Sequence, residues 1–470
     1  MRKTKIVCTI GPASDTEEIM TGLCKAGMNV ARLNFSHGTH DEHQRIIDLI
    51  KKVRSELKVP IAIMLDTKGP EYRIKTFKNQ KIMLKDGDYF VFTSDDIIGD
   101  ETRVAVSYPN LPNELSVGDT ILLNNGLLVF EVVNISGTNI ECSVITGGEL
   151  SDRKSMSFPG KVMKQEYLSE QDKKDIAFGV QNDVDYIACS FVSKKQDLID
   201  VHNYLKELNA DDIELIAKIE NQSGFDNIEE IFEVCDGIMI ARGDMGVEIP
   251  FKMLPAIQKK LITKCRLLGK RVITATEMLE SMISNPRPTR AEISDIANAV
   301  YDGTSAIMLS GETAAGKYPI ESVKVMAEIA ETTESDIHYN KRFHNAEFKI
   351  RSSVDAISHS TCGMAIDLDA KAIVACSLSG MTARMVSRFR PTVPILGLTT
   401  DERTYRRLSL SWGVIPAMCE RFSSTDVLFY TAKKIAETDL GLNKGDKIII
   451  TGGDTSGTSG NTSLIKIEHI

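Results

Sequence analysis

At 470 residues the chain is too long for one ordinary hydrophobic core, so two or three domains are expected. It is 42% hydrophobic and 26% charged, the balance of a globular chain rather than a disordered one. The net charge is −9 with no Lys/Arg-rich block, which argues against nucleic acid as a partner. A polyanionic substrate would need local arginines, lysines or metal ions to offset that field.

The first seventy residues alternate strand and helix. Strands are expected at 5–10, 28–33 and 61–65, and helices at 15–26, capped by Ser14 or Asp15, and 41–57. From 71 to about 163 the character changes to short β-rich runs at 81–84, 89–93, 103–106, 120–123, 127–133 and 140–144, separated by Gly, Asp and Asn turns. This pattern reads as a small β-barrel without a helix. Alternation resumes with helices at 170–181, 194–208, 224–234, 252–268, 290–301 and 320–332, interleaved with strands at 185–191, 214–219, 237–241, 271–275 and 305–309.

Eight strand–helix units in parallel order imply a closed (β/α)8 TIM barrel, with the β-rich insert after strand three placed as a lid over the barrel's C-terminal face. A third alternating region, with strands at 372–375, 394–398, 414–416, 447–451 and 464–468, makes a C-terminal α/β domain, and the polar segment 337–351 reads as a connector. The expected domains are 1–70 with 167–345 (barrel), 71–166 (lid) and 346–470. Nine cysteines without C-x-x-C spacing read as reduced buried thiols. The apolar run after the basic N-terminus is too short for a signal-peptide core, and no stretch reaches transmembrane length. A cytoplasmic protein with no membrane partner is expected.

The chemistry collects at the barrel strand ends. In I-E-L-I-A-K-I-E-N, residues 213–221, two-residue alternation puts Lys218 and Glu220 on one face at the strand's C-terminal mouth. By itself this pair reads either as a structural ion pair or as part of a site. The next strand end carries Arg242 and Asp244. Others carry Arg32, Asn34 and Ser36; Asp66, Thr67 and Lys68; Thr276 and Glu277; Ser310 and Glu312. One polar end is usually a cap or turn; six on one face are not. They are rich in oxygen ligands and cations but lack Cys/His metal spacing. His37, His40 and His43 read as a solvated helix start. No nucleophile elbow, Walker A loop or dinucleotide fingerprint occurs. The set suits Mg²⁺-assisted phosphoryl transfer, which needs positioning and charge neutralisation rather than a nucleophile.

These residues fall in the segments T-I-G-P at 9–12, A-R-L-N-F-S-H-G at 31–38, L-D-T-K-G-P-E at 65–71 and A-K-I-E-N at 217–221. The series continues with A-R-G-D at 241–244, N-P-R-P-T-R at 285–290 and M-L-S-G-E-T at 308–313. In that order and over its whole length the chain resembles the pyruvate kinase family, in its bacterial form. The resemblance implies transfer of phosphate from phosphoenolpyruvate to ADP, giving pyruvate and ATP. It implies Mg²⁺ (or Mn²⁺) at Glu220 and Asp244, and K⁺ at Asn34, Ser36, Asp66 and Thr67, with Glu71 matching a position linked to K⁺ dependence. Lys218, Arg32 and Arg73 would meet the phosphoryl group. The N–H groups of Gly243 and Asp244, together with Thr276, would take the substrate carboxylate, Thr276 also serving the proton relay. Pro12, His37, Arg73 and Lys154 would border the nucleotide.

Glu277 stands where the family usually has Gln. Asn124-Asn125-Gly126 stands for a common Asp-Asp-Gly in the lid, and Ser155 and Phe158 also depart from the family's lid sequence. The S-L-S-G-M-T turn at 377–382 matches the family's effector-phosphate loop at Ser377, Ser379, Gly380 and Thr382, with 452–462 beside it. This implies a sugar-phosphate or AMP effector acting in a homotetramer. A Mg²⁺-dependent lyase of the phosphoenolpyruvate/pyruvate barrel group and a catalytically silent sugar-phosphate sensor are the rival readings.

Overall fold

Eight short apolar runs close into a parallel barrel in the computed structural model, which describes residues 1–161, 163–346, 348–421, 424–453 and 461–470. They are β1 (Lys5–Thr9), β2 (Val30–Asn34), β3 (Ala62–Asp66), β4 (Tyr186–Cys189), β5 (Glu214–Ile219), β6 (Gly237–Ala241), β7 (Arg271–Ala275) and β8 (Ala306–Leu309). Their spatial order is β1-β8-β7-β6-β5-β4-β3-β2. Two-residue alternation divides each strand. Outward residues such as Leu33, Leu65, Leu215 and Ala217 pack under the surrounding helices. Inward residues such as Val7, Val30, Met64, Ala188 and Ile216 fill the barrel. Two positions further along, the inward series turns polar at the C-terminal rim; at the floor, β1, β5 and β7 open on the charged residues Lys5, Glu214 and Arg271.

The helices follow the expected pattern, with local differences. Thr16, rather than Ser14 or Asp15, caps Glu17–Ala26 by accepting the Ile19 N–H, because Ser14 is buried against Gly11 and Asp15 pairs with Arg45. Helix 224–234 breaks at Asn227 into Gln222–Asp226 and Ile228–Val234, the Asn227 amide donating to the Ser193 carbonyl. Helix 252–268 starts as a 3-10 turn at Phe251–Met253, because Pro255 is tolerated only in the first turn of the α-helix Leu254–Leu268. The expected connector 337–351 contains a helix, Tyr339–Asn345. Its Tyr339 and Phe343, four residues apart, form a buried apolar stripe against Trp412 and Phe389 that overall polarity conceals.

The insert holds a seven-stranded sheet whose ends meet and a separate antiparallel pair, Lys81–Leu84 with Gly148–Ser151. Tyr72–Arg73 lies at one end and Arg103–Ala105 at the other. Ser107 N–H donates to the Arg73 carbonyl (2.8 Å) and Lys75 N–H to the Ala105 carbonyl (2.7 Å). Phe90, Phe92 and Phe130 meet edge-on or tilted at its centre. Its only helical turn among the described residues is the 3-10 segment Leu111–Asn113. The C-terminal domain holds a five-stranded sheet, parallel except for its last strand, Thr462–His469. Residues 454–460 of the expected 452–462 loop lie outside the described residues.

The C-terminal domain docks on the barrel floor. Lys5 Nζ donates to the Val414 carbonyl (2.6 Å), and Arg271 and Arg384 flank Glu214 at 2.7 and 3.2 Å. Asp185 is fully buried, accepting from Arg406 Nε at 2.8 Å and from the Ile63 N–H at 2.8 Å. Burial pushes its carboxyl up, against the opposing charge of Arg406. Arg406→Met strands that charge with only Arg54, 4.0 Å away, and is expected to cost about 3–5 kcal/mol, read as a fall in the urea midpoint.

Candidate active site

The rim is a polar layer one alternation step beyond the apolar filling. Thr9, Arg32, Asp66, Ser190 and Lys218 stand two residues beyond Val7, Val30, Met64, Ala188 and Ile216. Asp66 is wholly buried. Its Oδ2 accepts from Arg32 Nε at 2.5 Å and its Oδ1 from Lys218 Nζ at 3.0 Å, with Ser190 Oγ 3.2 Å from Oδ1. Lys218 Nζ also donates to Ser190 Oγ at 2.6 Å and lies 3.1 Å from Glu220 Oε1. Burial opposes the lysine's charge, but Asp66 and Glu220 outweigh it and hold its pKa above the ordinary lysine value. Burial likewise disfavours the Asp66 carboxylate, yet Arg32 and Lys218 keep its pKa below the usual one. Lys218 is therefore a fixed cation, not a base.

Glu220 Oε2 accepts the Phe191 N–H at 2.6 Å. Burial raises the Glu220 carboxyl; Lys218 opposes this, while Asp244 and Asp66 add to it. Asp244 acts electrostatically on both Glu220 and Lys218 from the exposed start of the helix Arg242–Glu248. Among the described residues no group of three or more His, Cys, Asp or Glu is placed to hold a metal ion. The negative charge of Asp244 beside the raised Glu220 carboxyl fits a hard cation that draws its other oxygens from water and phosphate.

Beyond β7 the backbone is strained. Thr276 and Glu277 adopt φ +70° and +54°, and a left-handed conformation is costly for a β-branched residue. Arg242 fixes this turn, donating from Nε to the Ala275 carbonyl (3.1 Å) and from Nη2 to the Thr276 carbonyl (2.5 Å), while Nη1 bonds Asp295 at 2.7 Å. Arg242 is thus a positioning residue. Gly243 N–H donates to Thr276 Oγ1 at 2.8 Å and the Thr276 hydroxyl donates to the Ala275 carbonyl at 2.7 Å, so both groups expected to meet the substrate carboxylate are engaged within the protein here.

Asn34 on β2 stands opposite Asp66 on β3, and Asn34 Oδ1 accepts the Ser36 N–H at 3.1 Å. Thr67 Oγ1 accepts the Ser190 N–H at 3.2 Å, and the Thr67 carbonyl accepts from Ser190 Oγ at 2.6 Å. Glu71 pairs with Arg73 Nη2 at 2.6 Å. Arg73, His37, Ser36, Lys68 and Arg153 line one groove between barrel and insert, which Pro12 and Lys154 do not line. A second cleft, of about 130 Å³, brings Asn125 and Ser157 of the insert to Asp244 and Glu248 of the barrel. Glu248 accepts hydrogen bonds from the Ser157 side chain and the Phe158 backbone, so the insert rests on the helix that carries Asp244.

The histidine expectation is corrected. His43 is buried and stacked on Phe35, its ring bonded to the His37 carbonyl, and His40 stacks on Phe178 and bonds Asp175 at 2.7 Å. Only His37 of the three is exposed. Glu312 is also structural, accepting from the N–H groups of Leu279 (2.9 Å) and Ser310 (2.7 Å). Glu277 is exposed and enters no ion pair among the described residues. In the C-terminal turn, Thr382 N–H donates to Ser377 Oγ at 3.4 Å and Gly380 adopts φ +77°, while the Thr382 and Thr462 hydroxyls bond at 2.7 Å.

Sequence reasoning missed Ser190 and the Phe191 N–H. The available signal was alternation alone, since Ser190 extends the inward series of β4 by one step.

The family models for the barrel domain and the alpha/beta domain of pyruvate kinase match residues 1–323 and 355–468. A pyruvate kinase from Clostridium acetobutylicum is 46% identical across all of both chains. One from Staphylococcus epidermidis is 47% identical across all of this chain and 81% of its own length. The crystal structure of a pyruvate kinase from Cryptosporidium parvum, 36% identical, superposes with a TM-score of 0.93 over 100% of this chain and 96% of that one. With a closed eight-stranded barrel, an inserted β-domain and a C-terminal α/β domain in the same order, the chain belongs to the pyruvate kinase family.

Proposed function

We propose that the chain transfers the phosphoryl group of phosphoenolpyruvate to ADP, giving pyruvate and ATP. The observation that carries this is the buried, permanently charged Lys218 beside Glu220 at the rim, under an insert seated on the helix of Asp244. The P–O bond to the enol oxygen breaks as one forms to the β-phosphate oxygen of ADP. Lys218, Arg32 and Arg73 bind the moving phosphoryl group, and the Lys218 charge is worth most as negative charge redistributes in the transition state. Gly243 and Asp244 N–H, with the Thr276 hydroxyl, receive the substrate carboxylate when the Gly243–Thr276 and Thr276–Ala275 bonds give way. Thr276 stands in the path by which the enolate carbon gains its proton. His37, Pro12 and Lys154 border the nucleotide.

Glu220 and Asp244 would hold Mg²⁺ (or Mn²⁺), which supplies charge neutralisation between phosphate and substrate. Asn34, Ser36, Asp66 and Thr67 offer only oxygen ligands and would hold K⁺, with Asp66 shared between that ion, Arg32 and Lys218. Pyruvate formation from phosphoenolpyruvate and ADP, with each ion omitted in turn, tests the reading. Turnover should fall to background without either the divalent ion or K⁺. Equal rates with and without K⁺ would refute the K⁺ assignment, and turnover without ADP would favour a lyase.

The 377–382 turn, through Ser377, Ser379, Gly380 and Thr382, is proposed to take the phosphate of a sugar phosphate or AMP in a cytoplasmic homotetramer. No helix among the described residues is long and apolar enough to cross a membrane. Either effector should lower the phosphoenolpyruvate concentration at half-saturation; a curve unmoved by both counts against the site.

A further inference from the structure

Where the C-terminal domain meets the barrel floor, a small cavity is lined by Arg266, Lys270, Arg271, Arg384, Arg388 and Arg390, and by no acidic residue. Some of this charge is matched from outside the lining. Glu214 takes Arg271 and Arg384, and Asp355 takes Arg388 Nη1 at 2.7 Å. Arg266 and Arg390 have no carboxylate within ion-pair distance among the described residues. Arg390 is 6% exposed; its terminal nitrogens donate to the Gly303 and Ser387 carbonyls, and its plane lies 4.7 Å from the Trp412 ring.

Four buried nitrogens on these side chains have no partner: Arg266 Nε, Arg388 Nε and Nη2, and Arg390 Nε. A buried guanidinium N–H without an acceptor costs free energy, more so when it is charged. A water molecule would answer these donors only in part, since it brings two protons that need acceptors of their own, and the lining is mostly donors. A species that only accepts, and carries negative charge, answers both the hydrogen bonds and the uncompensated cations. The cavity leaves about 10 Å³ for the centre of a water-sized sphere, room for one such species and not for an organic phosphate.

We propose that this cavity binds one small inorganic anion of about chloride's size, which holds the C-terminal domain to the barrel floor through Arg266, Arg388 and Arg390. Burial, and the nearby charge of Arg266, lower the Arg390 pKa to about 9, against the smaller opposing effects of Tyr339 and Glu334.

Trp412 lines the cavity and is the only tryptophan, so its emission reports occupancy. The full-length protein is titrated with sodium bromide in chloride-free gluconate buffer at fixed ionic strength, and a crystal is soaked in bromide. Bromide should quench the emission saturably, chloride should relieve the quench competitively, and an anomalous peak should lie in the cavity beside Arg388 and Arg390. Arg266→Gln, at the half-exposed edge and without an ion-pair partner to strand, should raise the bromide midpoint about tenfold while leaving the thermal midpoint in gluconate unchanged. Non-saturating quenching that is the same in Arg266→Gln, or a soaked crystal with no peak in the cavity, would overturn the proposal. Competition by phosphate but not by chloride would overturn the assigned size.

Discussion

Lys218→Met should lower kcat about a thousandfold, ~4 kcal/mol of transition-state stabilisation, with a much smaller change in KM for phosphoenolpyruvate. The split follows from the geometry. Arg32 and Arg73 remain to bind the ground-state phosphate, whereas the cation fixed among Asp66, Ser190 and Glu220 matters most as charge moves. The variant should still fold. Asp66 keeps Arg32 at 2.5 Å and Glu220, already raised by burial, can take a proton, so neither carboxylate is stranded as a bare charge. Steady-state rates with circular dichroism on the same sample check both parts. Near-full activity in a folded Lys218→Met protein would remove the lysine from the mechanism.

Glu220→Gln should weaken the apparent affinity for the divalent ion by about a hundredfold or more and lower kcat with it. The pH dependence has a definite sign. The Glu220 carboxyl titrates above its ordinary range because of burial and the neighbouring Asp244 and Asp66, so protons compete with the metal as pH falls from neutrality toward that range. In the wild-type protein the Mg²⁺ concentration at half-maximal rate should therefore rise as pH falls; in Glu220→Gln that rise should flatten. Rates measured against Mg²⁺ at a series of pH values check it, and parallel curves for the two proteins would show that Glu220 is not the titrating ligand.

Much of this site was legible from spacing because a strand's two-residue period is rigid. Lys218 and Glu220 had to share a face, and the observed β5 matches the expected 214–219. What escaped were features made by groups distant in sequence or by backbone conformation. Ser190 earns its place only beside Lys218 and Asp66, each more than twenty residues away. The strain at Thr276 resides in φ, which residue identity does not reveal. His40 and His43 looked solvated because their partners, Asp175 and Phe178 for one and the His37 carbonyl for the other, appear only once the helix packs. The floor network fared likewise: Arg406 lies more than two hundred residues from the Asp185 it neutralises.

The most direct test follows the phosphorus atom itself. Phosphorus NMR of the wild-type protein with phosphoenolpyruvate, ADP, Mg²⁺ and K⁺ should show the phosphoenolpyruvate signal converting to the γ-phosphate of ATP, and the same mixture with Lys218→Met should stay essentially unchanged. Conversion to inorganic phosphate instead, or equal transfer by Lys218→Met, would contradict the account.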